Sequence, residues 1–116
     1  MLNQVVLVGR ITGEPELNET ESGKNVSNIT LAVPRSFKNA EGEYDTDFLN
    51  VELWNSIAQS TTEYCKKGDL IGVKGRLQMD QYEDKDGNSK IKVKVVAEKV
   101  TFLSSTKEKN HDENER

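Results

Sequence analysis

The eight residues 47–54, Asp-Phe-Leu-Asn-Val-Glu-Leu-Trp, restrict the fold more than any other stretch because aliphatic side chains alternate with other types. Successive side chains of a strand point to opposite faces, which would give one core face of Leu49, Val51 and Leu53. The other face has polar residues between two aromatics, Phe48 and Trp54. These aromatics lie roughly 20 Å apart along a strand, so they predict an extended ligand with several flat groups. The alternative is that each aromatic packs against its own neighbour at a barrel end.

The length and the cysteine and histidine counts exclude several classes of protein. A chain of 116 residues suits one domain with one core. One Cys and one His cannot build a disulfide framework or a zinc cluster of Cys and His, and His111 has no plausible catalytic partner. We therefore expect no enzyme activity, no metal and no cofactor. No signal peptide or long apolar segment is present, so we expect a soluble, cytoplasmic protein that does not contact a membrane.

The net charge is −4, with 16 Lys and Arg against 20 Asp and Glu, and taken alone it argues against a polyanionic partner. The distribution is uneven, since acids crowd residues 14–21 and 41–52 while residues 66–99 hold nine basic and six acidic residues. Such a basic region is compatible with binding a nucleic acid backbone. It predicts weaker binding and a milder salt dependence than a strongly basic protein would show.

The first half of the chain has two further strand patterns. Residues 4–10 are apolar and β-branched and predict a first strand with a bend or bulge at Gly9. Residues 26–34 predict a second strand that ends at Pro34. Residues 35–47 are polar and predict a long flexible hairpin loop with Phe37 at its base. After the strand of residues 47–54, the apolar period becomes helical over residues 55–65.

The second half predicts two more strands joined by a hairpin turn at Asp86-Gly87. Residues 70–78 form the fourth strand, with a tight bend at Gly75 and an inward face of Ile71, Val73 and Leu77. The fifth strand begins at residue 90, and its expected core residues are Ile91, Val93, Val95, Val100 and Phe102. Residues 104–116 are charged and poor in apolar residues, and we expect them to be a disordered tail.

Five strands with one helix between the third and the fourth match the order of an OB-fold, an all-β, five-stranded Greek-key barrel whose face binds oligonucleotides. We assign this domain to residues 1–103.

Several motifs resemble the single-stranded DNA-binding proteins of bacteria, including members that are borne by phages or plasmids. They are Met-Leu-Asn-Gln-Val-Val-Leu-Val-Gly-Arg at 1–10, Glu-Pro-Glu-Leu at 14–17, Ile-Thr-Leu-Ala-Val at 29–33, Lys-Gly at 67–68 and Gly-Arg-Leu at 75–77. The resemblance implies non-catalytic, largely sequence-independent binding and protection of single-stranded DNA in replication, recombination or repair. It also implies a homotetramer of OB-folds.

The resemblance further implies which residues contact the strand. In that family bases stack on aromatics at four places, and this chain has an aromatic at each of them: Phe37, Phe48, Trp54 and Tyr82. Each stack is worth roughly 1–3 kcal/mol and tolerates any base. The basic residues expected at the phosphates are Arg10, Arg35, Lys38, Lys74, Arg76, Lys90, Lys92 and Lys94.

Departures from the family pattern leave fewer basic residues around the aromatics. Relatives often have Arg and an aromatic where this chain has Asn18 and Glu19, and Thr-Arg where it has Met-Asp-Gln at 79–81. Residues 104–116 have no Pro-Phe end, so we expect no tail-dependent recruitment of other proteins. Two other functions stay open: an OB-fold primosomal or RNA-binding factor, and a protein-interaction barrel that has lost nucleic acid binding.

Overall fold

The computed structural model describes residues 1–105, and the chain forms one closed barrel. The elements are β1 (Val5–Ile11), β2 (Asn18–Glu19), β3 (Asn25–Lys38), β4 (Tyr44–Trp54), α1 (Asn55–Tyr64), β5 (Leu70–Glu83) and β6 (Ser89–Ser104). The strand order is β1-β5-β6-β4-β3-β2, and an additional pairing of β1 with β3 closes the sheet. Five long strands with one helix between the third and the fourth confirm the predicted OB-fold. The two-residue strand β2 had no signal in the sequence pattern.

Two short seams complete the barrel. The seam between β1 and β3 pairs Arg10 with Ala32 and Ile11 with Leu31, in antiparallel register. The seam between β4 and β6 is parallel and pairs Val51 with Val95 and Glu52 with Val96. The remaining ladders are antiparallel, and the longest of them are the β3–β4 and β5–β6 hairpins.

The core lies inside the barrel and includes residues from α1. Its central members include Leu31 of β3, Leu53 of β4 and Ile71 of β5, which are fully buried, together with Ala58 of α1. Burial of each large aliphatic side chain stabilises the fold by about 1.5–3 kcal/mol. Val51 and Leu53 are buried and Leu49 is half-buried, which confirms the predicted core face of residues 47–54.

Gly9 and Gly75 lie where two backbones approach closely. A Cβ on Gly9 would lie 2.7 Å from the carbonyl oxygen of Ala32 across the β1–β3 seam. A Cβ on Gly75 would clash with the carbonyl oxygen of Val96, at a shift in the β5–β6 register. At both positions only a residue without a side chain leaves room for the facing backbone. The register shift at Gly75 agrees with the bend predicted there, whereas the β1–β5 ladder runs through Gly9 without a shift.

The expected loop of residues 35–47 is wrong, because most of it is paired strand. The β3–β4 ladder continues through an irregularity after Pro34 to a final pair of Lys38 and Tyr44. The turn is therefore confined to residues 39–43. It is closed by the Asn39 side chain, whose Oδ1 accepts hydrogen bonds from the backbone N–H groups of Glu41 and Glu43. The β5–β6 hairpin likewise stays paired as far as Glu83 and Ser89.

The expected core positions Leu77, Ile91 and Val93 are also wrong, since these side chains are 47%, 60% and 57% exposed. They share one face of the β5–β6 hairpin; Leu77 lies past the last β1 partner of β5, and Ile91 and Val93 lie outside the part of β6 that pairs with β4. Within the described chain, that face is left largely uncovered, so alternation alone does not bury these residues. Phe102 is likewise exposed, whereas Val95 is buried and Val100 is partly buried against the core.

The disordered tail is expected over residues 104–116, and residues 106–116 lie outside the described part of the chain. The expectation that this tail recruits no other protein therefore also lies outside it. Among residues 1–105, no helix has the length and the apolar character needed to cross a membrane.

Candidate nucleic-acid interface

The outer face of β4 presents Phe48, Asn50, Glu52 and Trp54 in a row. Phe48 is 65% exposed, so its ring does not pack at a barrel end as the alternative interpretation requires. Its register partner on β3 is Ala32, whose small side chain leaves the ring open. Trp54 is half-buried at the other end of the row. The strand therefore offers two separated aromatic surfaces, of which Phe48 is the more exposed.

Arg10 lies on the same outer surface as Phe48. Arg10 pairs with Ala32 across the β1–β3 seam, and Ala32 pairs in turn with Phe48. Arg10 and Phe48 are thus two strand spacings apart, about 10 Å. The Nη1 of Arg10 donates a hydrogen bond of 3.0 Å to the carbonyl oxygen of Gly68, which holds the guanidinium at this position. Its other N–H groups leave capacity for a phosphate.

The β5–β6 hairpin continues this surface. Cross-strand partners share a face, and the pairs here are Gln78 with Lys94, Asp80 with Lys92, and Tyr82 with Lys90. The Nζ of Lys94 reaches Glu52 on β4, so the hairpin face joins the β4 face. A groove of about 250 Å³ lies at the junction, and its lining includes Thr30, Asn50, Glu52, Asp80, Lys92 and Lys94. Tyr82 and Lys90 lie further along the hairpin, toward its turn.

Lys94 is the centre of a charged cluster in this groove. Its Nζ lies 2.7 Å from Glu52 Oε2 and 2.7 Å from Asp80 Oδ2. Trp54 Nε1 donates a 2.6 Å hydrogen bond to the other oxygen of Glu52, so the indole orientation is fixed by the same carboxylate. Hydrogen bonds to Asp80 and Glu52 raise the pKa of Lys94, and the bond from Lys94 lowers the pKa of Asp80. Lys94, one of the cations expected at the phosphates, is thus paired with two carboxylates in this structure.

Arg35 is turned away from the aromatic row. Its Nε and Nη2 donate hydrogen bonds of 3.1 and 3.0 Å to the two carboxylate oxygens of Asp47, and its Nη1 lies 3.8 Å from Asp45. Asp47 directly precedes Phe48 in the strand, so the pair lies on the opposite face of the hairpin. The Arg35 guanidinium lowers the pKa of Asp47. In this structure Arg35 is thus neutralised and is not brought together with Phe48.

The β3–β4 hairpin carries one exposed aromatic that the sequence analysis missed. Tyr44 follows the even-numbered positions of β4, so it lies on the face of Phe48, and Lys38 Nζ is 5.9 Å from its ring centroid. Phe37 is exposed on the facing strand. The spacing of four residues between Tyr44 and Phe48 is the available signal, but it applies only to a strand, and the polar composition of residues 35–47 predicts a loop.

The remaining cations predicted to bind phosphates lie at separate places along the β5–β6 hairpin. Arg76 lies on the hairpin face, where its Nη1 donates a 2.8 Å hydrogen bond to Gln78 Oε1. Lys90 Nζ is 4.0 Å from Asp84 near the hairpin turn. Lys74 is exposed on β5 beside Val6 of β1, on the far side of the register shift from the groove. Residues 1–105 contain no group of three or more His, Cys, Asp and Glu placed to hold a metal ion.

Comparison with known proteins identifies the family. Residues 2–103 match the model of the single-strand binding protein family. The chain is 48% identical over 103 residues to single-stranded DNA-binding protein B of Bacillus subtilis (strain 168), covering 89% of this chain and 91% of that protein. It is 46% identical over 116 residues to single-stranded DNA-binding protein 1 of Staphylococcus aureus (strain MSSA476), covering 100% of this chain and 72% of that protein. With the barrel, the aromatic row and these matches together, the chain belongs to the single-strand binding protein family.

Proposed function

We propose that the protein binds single-stranded DNA with little sequence preference and protects it, without chemistry on the strand, in replication, recombination or repair. The observation that carries this proposal is the row of Phe48 and Trp54 on the outer face of β4, continuous with the hairpin face of Tyr82 and Lys92. Relatives that are named single-stranded DNA-binding proteins support it.

In this proposal aromatic rings bind the bases and basic side chains bind the phosphates. Bases stack on Phe37, Phe48, Trp54 and Tyr82, and Tyr44 joins them because it lies on the same face as Phe48. Flat rings accept any base, which accounts for the lack of sequence preference. Phosphates bind the exposed or partly exposed cations Arg10, Lys38, Lys74, Arg76, Lys90 and Lys92. Arg35 and Lys94 contribute only when their carboxylate partners are displaced.

The test uses Trp54, the one tryptophan of the chain, as the reporter. Oligo-dT added at low salt should quench its emission, and absence of quenching would refute the proposal. Phe48→Ala removes one stacking surface without touching the reporter, and should weaken binding by roughly 1–3 kcal/mol, about 5- to 150-fold. Tyr64→Ala is the matched control, because Tyr64 is as exposed as Phe48 but lies on α1, where its ring faces Phe102.

Two further measurements address the alternatives. Tighter binding of an oligoribonucleotide than of oligo-dT would favour the RNA-binding or primosomal factor. Normal binding by a Phe48→Ala/Trp54→Ala double variant, followed by anisotropy of a labelled strand, would favour the protein-interaction barrel. We also propose a cytoplasmic homotetramer, and light scattering after size-exclusion chromatography, with and without oligo-dT, tests the assembly together with binding.

A further inference from the structure

The two carboxylates that contact Lys94 differ in how firmly they are held. Glu52 is 14% exposed and accepts hydrogen bonds from both Lys94 and Trp54. Asp80 is 44% exposed and contacts Lys94 from the groove, while its other oxygen accepts a 3.0 Å hydrogen bond from Gln78 Nε2. Glu52 is therefore a fixed part of the groove, and Asp80 is the more accessible, more weakly held partner.

We propose that Asp80 occupies, in the free protein, the position on Lys94 that a backbone phosphate takes in the complex, so that binding exchanges a carboxylate for a phosphate. This inference rests on the proposed function. Lys94 is only 16% exposed, and Asp80 covers it from the groove, the side from which a strand on the β4 face would approach. Carboxylate and phosphate oxygens accept charge-assisted hydrogen bonds from an ammonium at similar distances.

The geometry also explains why the exchange can proceed with little rearrangement. Lys94 keeps its 2.7 Å contact with Glu52 when Asp80 leaves, so the ammonium stays in place. Asp80 lies opposite Lys92 in the β5–β6 register, and this second cation faces the same groove. The released carboxylate of Asp80 therefore remains near positive charge instead of being left among phosphates alone.

The exchange predicts a specific effect on salt dependence. A phosphate that binds a free lysine releases a condensed cation from the strand, with a slope of about 0.7 per phosphate for single strands. When that phosphate displaces Asp80, the freed carboxylate stays beside the bound strand, where it partly cancels the positive charge of Lys92 and so retains a cation that would otherwise be released. The two terms offset each other, so the contact through Lys94 adds little to the salt slope.

The decisive comparison is Asp80→Asn against Glu98→Gln. Both variants remove one negative charge, but Glu98 is exposed near α1 and is not part of the groove. Asp80→Asn should bind oligo-dT about threefold more tightly than Glu98→Gln in moderate salt, as expected for loss of a partly exposed ion pair. Its slope of log K against log salt should be steeper by about 0.7.

The outcomes separate the two hypotheses. If the wild type binds normally and the two variants have the same affinity and salt slope, the exchange is overturned and the proposed function stands. Weaker binding by Asp80→Asn than by Glu98→Gln has the same consequence. Absence of binding by all three proteins overturns the proposed function and the exchange together. A second readout needs no substitution: the NMR signal of the Asp80 carboxyl carbon should titrate at a higher pH in the complex than in the free protein, because Asp80 no longer contacts Lys94. An unchanged titration would contradict the exchange.

Discussion

Replacement of Gly75 by Ala is expected to destabilise the barrel severely. The added Cβ would clash with the carbonyl oxygen of Val96 and lie 3.0 Å from its carbonyl carbon and 3.1 Å from the Cα of Ala97. All of these atoms belong to the backbone of β6, so no side-chain rotation relieves the overlap. The two strands must separate at a point where their register already shifts. Overpacking of a core costs about 1–3 kcal/mol, and each ladder hydrogen bond that is lost costs about 1 kcal/mol more.

We therefore expect a loss of about 3 kcal/mol for Gly75→Ala, which corresponds to a fall in Tm of about 10–20 °C for a domain of this size. Urea unfolding followed by Trp54 emission measures it, at one protein concentration throughout. Gly72→Ala is the matched control on the same strand, because its Cβ would meet nothing closer than a side-chain carbon of Leu103 at 3.7 Å. If the two variants differ by less than about 1 kcal/mol, the argument from backbone approach is refuted.

Two further predictions concern ionisation. Arg35 lowers the pKa of Asp47 in the folded protein, so the stability from this pair is complete above the unfolded pKa of about 3.9 and is lost as pH falls through the lower folded value. Asp47→Asn should therefore reduce the difference in urea midpoint between pH 6 and pH 3, and an unchanged difference would contradict this assignment. Burial, with a smaller contribution from Asp69, raises the pKa of the Cys65 thiol to about 11. Iodoacetamide at pH 8 should alkylate the native protein at least about 100-fold more slowly than the urea-unfolded chain, and comparable rates would refute the buried thiol.

The alternation in residues 47–54 correctly predicted both faces of β4, because this strand lies within the barrel and one face must meet the core. The same alternation failed for Ile91 and Val93. A period of two residues separates the faces of a strand, but it does not say which other element covers each face. Their part of β6 extends beyond the barrel with β5 alone, so these side chains stay exposed.

The sequence alone does not predict which acidic residue pairs with Lys94 or with Arg35. Lys94 and Glu52 are 42 residues apart, and only the parallel seam between β4 and β6 places them together. The pairing of Arg35 with Asp47 depends on the length of the β3–β4 hairpin, where the sequence pattern predicts a loop. The outer face of Phe48 and Trp54 could be predicted, because it depends only on their positions along one strand. Whether a cation is free depends on register, and register is a property of the assembled sheet.

The two short seams divide the barrel into two antiparallel leaves, one of β2, β3 and β4 and the other of β1, β5 and β6. The two long hairpins join neighbours in sequence, whereas each seam has only two residue pairs and the β4–β6 seam joins strands that are far apart in the chain. Local hairpins close their loops at less entropic cost than such a distant pairing, so the β4–β6 seam is a natural late step of folding. In the native ensemble the same seams are the lines along which two cooperative units would part. The amide hydrogen of Thr12, which bonds to the carbonyl oxygen of Thr30 beside the β1–β3 seam, would then report an opening that those in the middle of each hairpin do not.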